Sequence, residues 1–377
     1  MDLSDLPKPT LIAHSQELRN LKDNLARESI LAVDTESNSL FAYQERVCLI
    51  QFSTTKKDYL VDPLAIDDLS PLAPIFASKR IEKIFHAAEY DVIMLKRDFG
   101  FRFENLFDTM LAARILGWDE QGLGSILKNE FGVRLNKRYQ RANWGKRPLP
   151  VDMQTYAQLD THYLIPLRNK LRAELKSNGR WTLAQEDFHR LQDINGREPA
   201  NGNEFCWRIK GAYDLSPQQA AVLQELCTYR EGVAKSIDRP LFKVIGDHTL
   251  FAIATQCPTD LEALGTLPGM TRKQVRRHGK ELLAAVQRGL QADPVYPPRH
   301  RRPSERYLAR VEGLRSWRKM VAREMGVSSD VILPRDLLIE IATQNPKRET
   351  ELAHVLEQVP WRMEKFGDEI LGVLDHI

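Results

Sequence analysis

The stretch "SILAVDTESNSLF", Ser29 to Phe41, joins an apolar run to two carboxylates, Asp34 and Glu36, one residue apart. Ile30 to Val33 reads as a strand. Side chains alternate along a strand, so Asp34 and Glu36 share a face at its end. A solvated strand end and a site that collects a cation both account for such a pair. Two more strand candidates, "RVCLIQFST" and "DYLVDP", follow after short loops, which suits antiparallel neighbours. A fourth, "EKIFH", comes after a helical stretch. Helical patterns then cover "AEYDVIMLKRDF", "TMLAARILG" and "MQTYAQLDTHYLIPLRNKLRAELKS", the last read as one long helix. The expected architecture is α/β, a mixed sheet with helices packed on it.

The 377 residues suggest two or three domains, and 42% hydrophobic content is ample for real cores. The net charge of +3 decides little, so charge clusters carry the information instead. Cys48, Cys206, Cys227 and Cys257 form no CxxC pair, which argues against zinc and for a reduced compartment. The opening "MDLSDLPKPTLIAHS" has no basic segment followed by an apolar one, so no signal peptide is expected. No apolar run could span a bilayer. A soluble, cytoplasmic protein is the expectation, with no membrane partner.

Composition shifts at "NGREPANGNEF", Asn195 to Phe205, and again at "ADPVYPPRHRRPS", Ala292 to Ser304, a proline-rich charged linker. The expected domains are 1–200 (α/β), 206–291 (helical), a linker at 292–304, and 305–377 (helical). The two helical parts are related. At a shift of 88 residues, Ile253-Ala254-Thr255-Gln256 falls on Ile341-Ala342-Thr343-Gln344, and Arg230 meets Arg318. Pro258 meets Pro346 and Gly279 meets Gly367 in the same register, which predicts a duplicated helical domain.

Further carboxylates change the reading of the first pair. Tyr156 and Asp160 lie four apart on one helical face. A carboxylate on a core-facing stripe is costly unless it is paired or bound to metal, so Asp160 is either a cap or ion-pair partner or a ligand. Asp91 sits early in a helix that follows a strand. It suits a ligand or a partner of the helix dipole, while Glu89 and Asp98 fit an exposed face better. Hard oxygen donors from several elements suit Mg²⁺ or Mn²⁺. Two such ions can activate water and stabilise the leaving oxygen of a phosphodiester, and a tyrosine can orient that water. Asp34, Glu36, Asp91, Asp160 and Tyr156 together have the chemistry of a metal-dependent nuclease. Asp108 in "FDTML" reads as a helix N-cap, and His86 and Gln51 as structural residues.

"VDTE", "HAAEYDVIML" and "YAQLDTHYL" resemble the three motifs of the DEDD exonucleases, and the Tyr-x-x-x-Asp spacing matches their tyrosine subclass. The histidine subclass would carry His where this chain has Thr155. "NKRYQRANWGKRPL" resembles the block before the third motif in the ribonuclease D family. The repeats, at about 210–290 and 305–377, resemble helicase-and-RNase-D C-terminal (HRDC) domains, the second being more divergent. The resemblance covers nearly the whole chain. It implies a ribonuclease H-like sheet with two helical HRDC domains, and a 3′→5′ exoribonuclease acting on tRNA precursors and other structured RNAs with free 3′ ends. It also implies a two-ion site of Mg²⁺ or Mn²⁺ held by Asp34, Glu36, Asp91 and Asp160, with Tyr156 holding the nucleophilic water.

Arg134 to Arg147 holds six basic residues and no acid, with Tyr139 and Trp144 interleaved. Basic side chains hold phosphates and aromatic rings stack on bases, so Lys137, Arg138, Arg141, Trp144 and Arg147 are candidate RNA contacts. An ordinary solvated loop with Trp144 anchored in the core is the competing reading. Arg272, Lys273, Arg276 and Arg277, after the turn "LPGM", form a second candidate RNA-binding cluster, and "RHRR" in the linker a third. A 3′→5′ DNA exonuclease of proofreading type fits the same motifs, since two-metal chemistry does not itself need a 2′-OH. A non-catalytic RNA-binding scaffold fits less well with a complete carboxylate set. A helicase is excluded by the lack of a G-x-x-x-x-G-K-[ST] loop, and no nucleotide cofactor is expected. The chain is expected to be a monomer.

Overall fold

A computed structural model describes residues 6–196, 206–298 and 303–377. Six strands, β1 (Thr10–Ile12), β2 (Ile30–Ser37), β3 (Val47–Ser53), β4 (Asp58–Val61), β5 (Glu82–Phe85) and β6 (Leu106–Asp108), form one sheet in the order β1-β4-β3-β2-β5-β6. β2, β3 and β4, joined by residues 38–46 and 54–57, pair antiparallel. β1 on β4, β5 on β2 and β6 on β5 are parallel pairs, whose connections need a crossover. β1 and β6 have three residues each, too few to show an alternating pattern in the sequence.

Helices α1 (Ser15–Leu25), α2 (Ala73–Phe76), α3 (Glu89–Phe99), α4 (Thr109–Leu116), α5 (Leu123–Phe131), α6 (Val151–His162), α7 (Leu164–Ser177) and α8 (Trp181–Asp193) complete this part. They cover both faces of the sheet, which is why β3 is buried along its whole length. Leu31, Val33 and Phe85 pack with α1 and α3, while Ala32, Ile84 and Phe107 pack with α4, α7 and α8. The alternation puts Asp34 and Glu36 on the Ala32 side, the side of α6 and α7. The helix expected over Met153–Ser177 is two helices, broken at Tyr163. Pro166 is the reason: it has no N–H for the carbonyl of His162, and its ring crowds that turn.

The helical repeats are α9 (Pro217–Ser236), α10 (Leu241–Val244), α11 (Asp247–Gln256), α12 (Leu261–Gly265) and α13 (Arg272–Gln291), then α14 (Glu305–Met325), α15 (Ser329–Ile332), α16 (Arg335–Gln344), α17 (Glu349–Val355) and α18 (Pro360–Asp375). Each helix of the second set begins 88 residues after its counterpart. Finer features keep that register. Cys257 and Asn345 both end their helices in the left-handed conformation, at φ 45° and 51°. Arg230 donates to the Ile245 carbonyl at 3.0 Å, and Arg318 to that of Leu333 at 2.7 Å. The repeat therefore keeps arginine–carbonyl contacts as well as apolar positions.

The chain forms two compact units. One holds the sheet, its helices and the second repeat; the other holds the first repeat with Asn38–Arg46. Within the first unit, fully buried Arg362 of α18 donates to Glu186 at 2.9 Å and Asp187 at 3.0 Å on α8, and to the Val331 and Ile332 carbonyls. Among the described residues no helix is long and apolar enough to cross a membrane.

Candidate active site

β2 carries Asp34 and Glu36 to its open end, and α6 crosses that end with Tyr156 and Asp160. One carboxylate oxygen from each of Asp34, Glu36 and Asp160 lies within 4.8 Å of the others. Asp160 is 7% exposed, and Asp34 and Glu36 are half-buried. Asp91 approaches differently. Thr35 points to the opposite face from Asp34, and its hydroxyl donates to the Asp91 carboxylate. Asp91 is 6% exposed in the first turn of α3. That turn is held by Asp108, whose carboxylate accepts from Ala88 N at 2.7 Å and caps α4 through Met110 N at 2.8 Å and Leu111 N at 3.0 Å. Asp108 is thus the N-cap read from the sequence, and it also anchors the helix that presents Asp91.

Burial and mutual repulsion dominate the electrostatics. Desolvation, then the neighbouring charge of Asp160, pushes Asp34 well above the usual carboxylate range. Glu36 is pushed up by burial and then by Asp34, Asp160 and Asp91. Asp91 rises through burial and Asp34, offset in part by the Thr35 hydroxyl. Asp160 rises through burial, offset in part by the Tyr156 hydroxyl beside it. Burial, then the charges of Asp160, Glu36 and Asp34, raises Tyr156 far above an ordinary phenol, so it stays protonated at neutral pH. A partly buried set of acidic oxygens under mutual repulsion fits a divalent cation, which would supply the missing positive charge.

Asp34, Glu36, Tyr156 and Asp160 open into a cavity of about 390 Å³, also lined by His86, Gly122, Ser125, Leu135, Lys137 and Gln140, while Asp91 lies behind Thr35 and outside this lining. Of the candidate RNA contacts in the basic loop, Lys137 lines this cavity, and Arg138 and Arg141 are exposed. Trp144 and Arg147 are corrected. Trp144 is 1% exposed against Tyr156, ring centroids 6.1 Å apart, so it has no free face for a base. The Arg147 guanidinium is held by Asp62 at 2.7 Å and by the Cys48 and Trp144 carbonyls at 2.7 and 2.8 Å. Both residues brace the loop. In the first repeat Arg272, Lys273, Arg276 and Arg277 are exposed. Lys273 and Arg277 line a cavity of about 220 Å³ with Lys243 and His278, whereas Arg272 and Arg276 do not. "RHRR" and most of Asn195–Phe205 lie outside the described residues.

Sequence reasoning passed over Thr35, the cavity-lining role of His86, and the Gly122–Ser125 wall. Gln51, read as structural, donates to Asp34 Oδ2 at 3.2 Å from directly across the β2–β3 pair. That register was the one signal that could have linked Gln51 to the site; Thr35 was flanked by Asp34 and Glu36 in the chain, and His86 and the Gly122–Ser125 wall are joined to the site only by tertiary packing.

Comparison with known proteins supports the same architecture. A 3′-5′ exonuclease family model matches residues 9–176, and an HRDC domain model matches 219–286 and 308–374. The chain is 30% identical over 368 residues to ribonuclease D of Nitrobacter hamburgensis, covering 96% of this chain and 94% of that one. It is 31% identical to Protein RRP6-like 1 of Arabidopsis thaliana over 76% of this chain, but spans only 47% of that relative's length. A second such relative, RRP6-like 3, is spanned over 30% of its length. Among solved structures, Escherichia coli RNase D superposes with a TM-score of 0.72 at 26% identity, over 98% of this chain and 99% of that one. The catalytic core of RRP6 from Trypanosoma brucei gives a TM-score of 0.68 at 29% identity, over 77% and 82%. The acidic end of the sheet, the tyrosine four residues before the last aspartate and the paired HRDC domains place this chain in the ribonuclease D family.

Proposed function

We propose that the protein is a 3′→5′ exoribonuclease that removes nucleotides singly from RNA with a free 3′ end, tRNA precursors included. The observation that carries this reading is the convergence of Asp34, Glu36 and Asp160 within 4.8 Å, beside Tyr156, at a cavity of nucleotide size. Family membership supports it. Asp34, Glu36, Asp91 and Asp160 would hold two divalent ions, Mg²⁺ or Mn²⁺. When bound, these would supply positive charge at the phosphate and a water of lowered pKa. The chain's own residues do the rest. Tyr156, kept protonated, orients the attacking water rather than taking its proton. Attack at the terminal phosphodiester breaks its P–O3′ bond. The released nucleotide keeps the phosphate as a 5′-monophosphate, and the shortened chain keeps a 3′-hydroxyl.

Lys137 lines the same cavity as the carboxylates, where it would pair with a substrate phosphate. In the first repeat, Lys243, Lys273 and Arg277, with no acidic neighbour in the cavity wall, suit an RNA phosphate. The test is digestion of a 5′-labelled tRNA carrying a 3′ trailer, with Mg²⁺, with Mn²⁺ and with chelator, beside a DNA of matched sequence. Stepwise shortening of the RNA with release of 5′-monophosphates is expected. No shortening under any metal condition would sink the reading, and equal digestion of DNA would remove the RNA preference.

A further inference from the structure

The helix that brings Tyr156 and Asp160 to the site is buried on nearly every side. Met153, Tyr156, Ala157, Gln158, Leu159, Asp160 and Thr161 are all buried. Apolar burial is non-directional, so it does not set how such a helix is rotated about its own axis. A rotation of about 10° would carry a carboxylate some 6 Å from the axis through about 1 Å, and a misplacement of that size can cost about a hundredfold in rate.

The face opposite Tyr156 and Asp160 carries hydrogen bonds that could fix this angle. At about 100° per residue, Gln158, Thr161 and His162 centre nearly 180° from the two site residues. Gln158 Nε2 donates to Asp58 Oδ2 at 2.6 Å and to the Pro7 carbonyl at 2.6 Å. His162 Nδ1 lies 2.8 Å from the same Asp58 oxygen. Thr161 and Ser53 hydroxyls are 2.7 Å apart. Ser53 and Asp58 face each other where β3 and β4 meet their connecting turn, so every latch except the Pro7 carbonyl rests on one pair of strands. Asp58, Gln158, Thr161 and Ser53 are at most 7% exposed. Burial pushes the Asp58 carboxyl up, but hydrogen bonds from His162, Gln158 and Ser53 outweigh it, and the group stays charged.

We propose that Asp58 and Ser53 are positioning residues that lock the rotation of α6 and so set the reach of Asp160 and Tyr156 into the acidic cluster. The inference rests on the metal-dependent exonuclease reading. Neither residue touches substrate or ion; both act through α6.

The test uses the full chain and measures Mn²⁺ binding by EPR, kcat and KM on a short RNA, and melting. Asp58→Asn should weaken Mn²⁺ binding about tenfold or more, as loss of an outer orienting partner does elsewhere, and lower kcat with KM unchanged. Ser53→Ala should shift the same two quantities by less. Glu82→Gln is the control: it breaks the Arg168–Glu82 pair at 2.5 Å, which braces α7 without touching α6. It should lower the melting temperature and leave Mn²⁺ affinity alone. A folded Asp58→Asn with wild-type Mn²⁺ affinity and kcat overturns the inference, as does an equal loss in Glu82→Gln. Should Asp58→Asn not fold, Ser53→Ala decides by the same criteria. A wild-type chain that binds no Mn²⁺ overturns the exonuclease reading itself, and this inference with it.

Discussion

Replacing Glu36 with glutamine should abolish activity yet stabilise the metal-free protein. Glu36 sits with Asp34 and Asp160 inside 4.8 Å, and the charge of Asp91 reaches it as well. Two like charges 4.8 Å apart repel by roughly 3.5 kcal/mol at an effective dielectric of about 20. The native state escapes part of this by holding protons on the cluster, so the relief on neutralising Glu36 should be about 1–2 kcal/mol. For a unit of this size that is about 2–8 °C in melting temperature. The pH dependence follows from the direction of the shifts. Carboxyls whose folded pKa is raised contribute stability below their unfolded pKa and lose it as pH rises through the folded value. Wild type in chelator should therefore melt lower at pH 8 than at pH 5.5, and Glu36→Gln should show a shallower decline. Adding Mg²⁺ should raise the wild-type melting point, most at high pH, and do less for the variant. Calorimetry in chelator and in Mg²⁺ at the two pH values checks all of this. A Glu36→Gln chain that melts below wild type in chelator at pH 8 would refute the account of an uncompensated acidic cluster.

Asp34→Ala should reduce 5′-monophosphate release by about a thousandfold or more, since on the proposed reading it removes a metal ligand rather than a contact to substrate. Tyr156→Phe should lower kcat by about a hundredfold with KM little changed and Mn²⁺ binding intact, because in the proposed mechanism the hydroxyl orients water and holds no ion; single-turnover kinetics separate these. Trp144→Ala should cost about 3–5 kcal/mol of stability and leave RNA affinity per folded molecule unchanged, whereas Arg141→Ala should leave melting unchanged and raise KM on long RNA. A denaturant melt paired with KM measurements distinguishes the two loop residues.

Much of this was legible in the chain itself. The period-2 run ending in Asp34 and Glu36, the four-residue spacing of Tyr156 and Asp160, and the capping position of Asp108 are local patterns, and local patterns survive in a sequence. The duplication was legible because a gapless 88-residue register keeps both helix starts and arginine–carbonyl contacts aligned. Other features depend on what packs where. Unopposed charge and interleaved rings made Trp144 and Arg147 look like RNA contacts, yet one is sealed against Tyr156 and the other is taken by Asp62. No one-dimensional pattern separates a ring that stacks on a base from one that fills a core.

The sequence alone determined which donors share a strand or helix face, since residue type and spacing set that. Tertiary structure decided how they meet. Side-chain alternation turns Thr35 away from Asp34 and toward Asp91, so the fourth carboxylate approaches from the other side of the strand. Asp58 and Ser53, with no motif to mark them, hold the far face of the helix that brings Asp160 in. Distances between residues a hundred positions apart are fixed only when burial and hydrogen bonding leave one packing, and it is those distances that turn scattered carboxylates into a site.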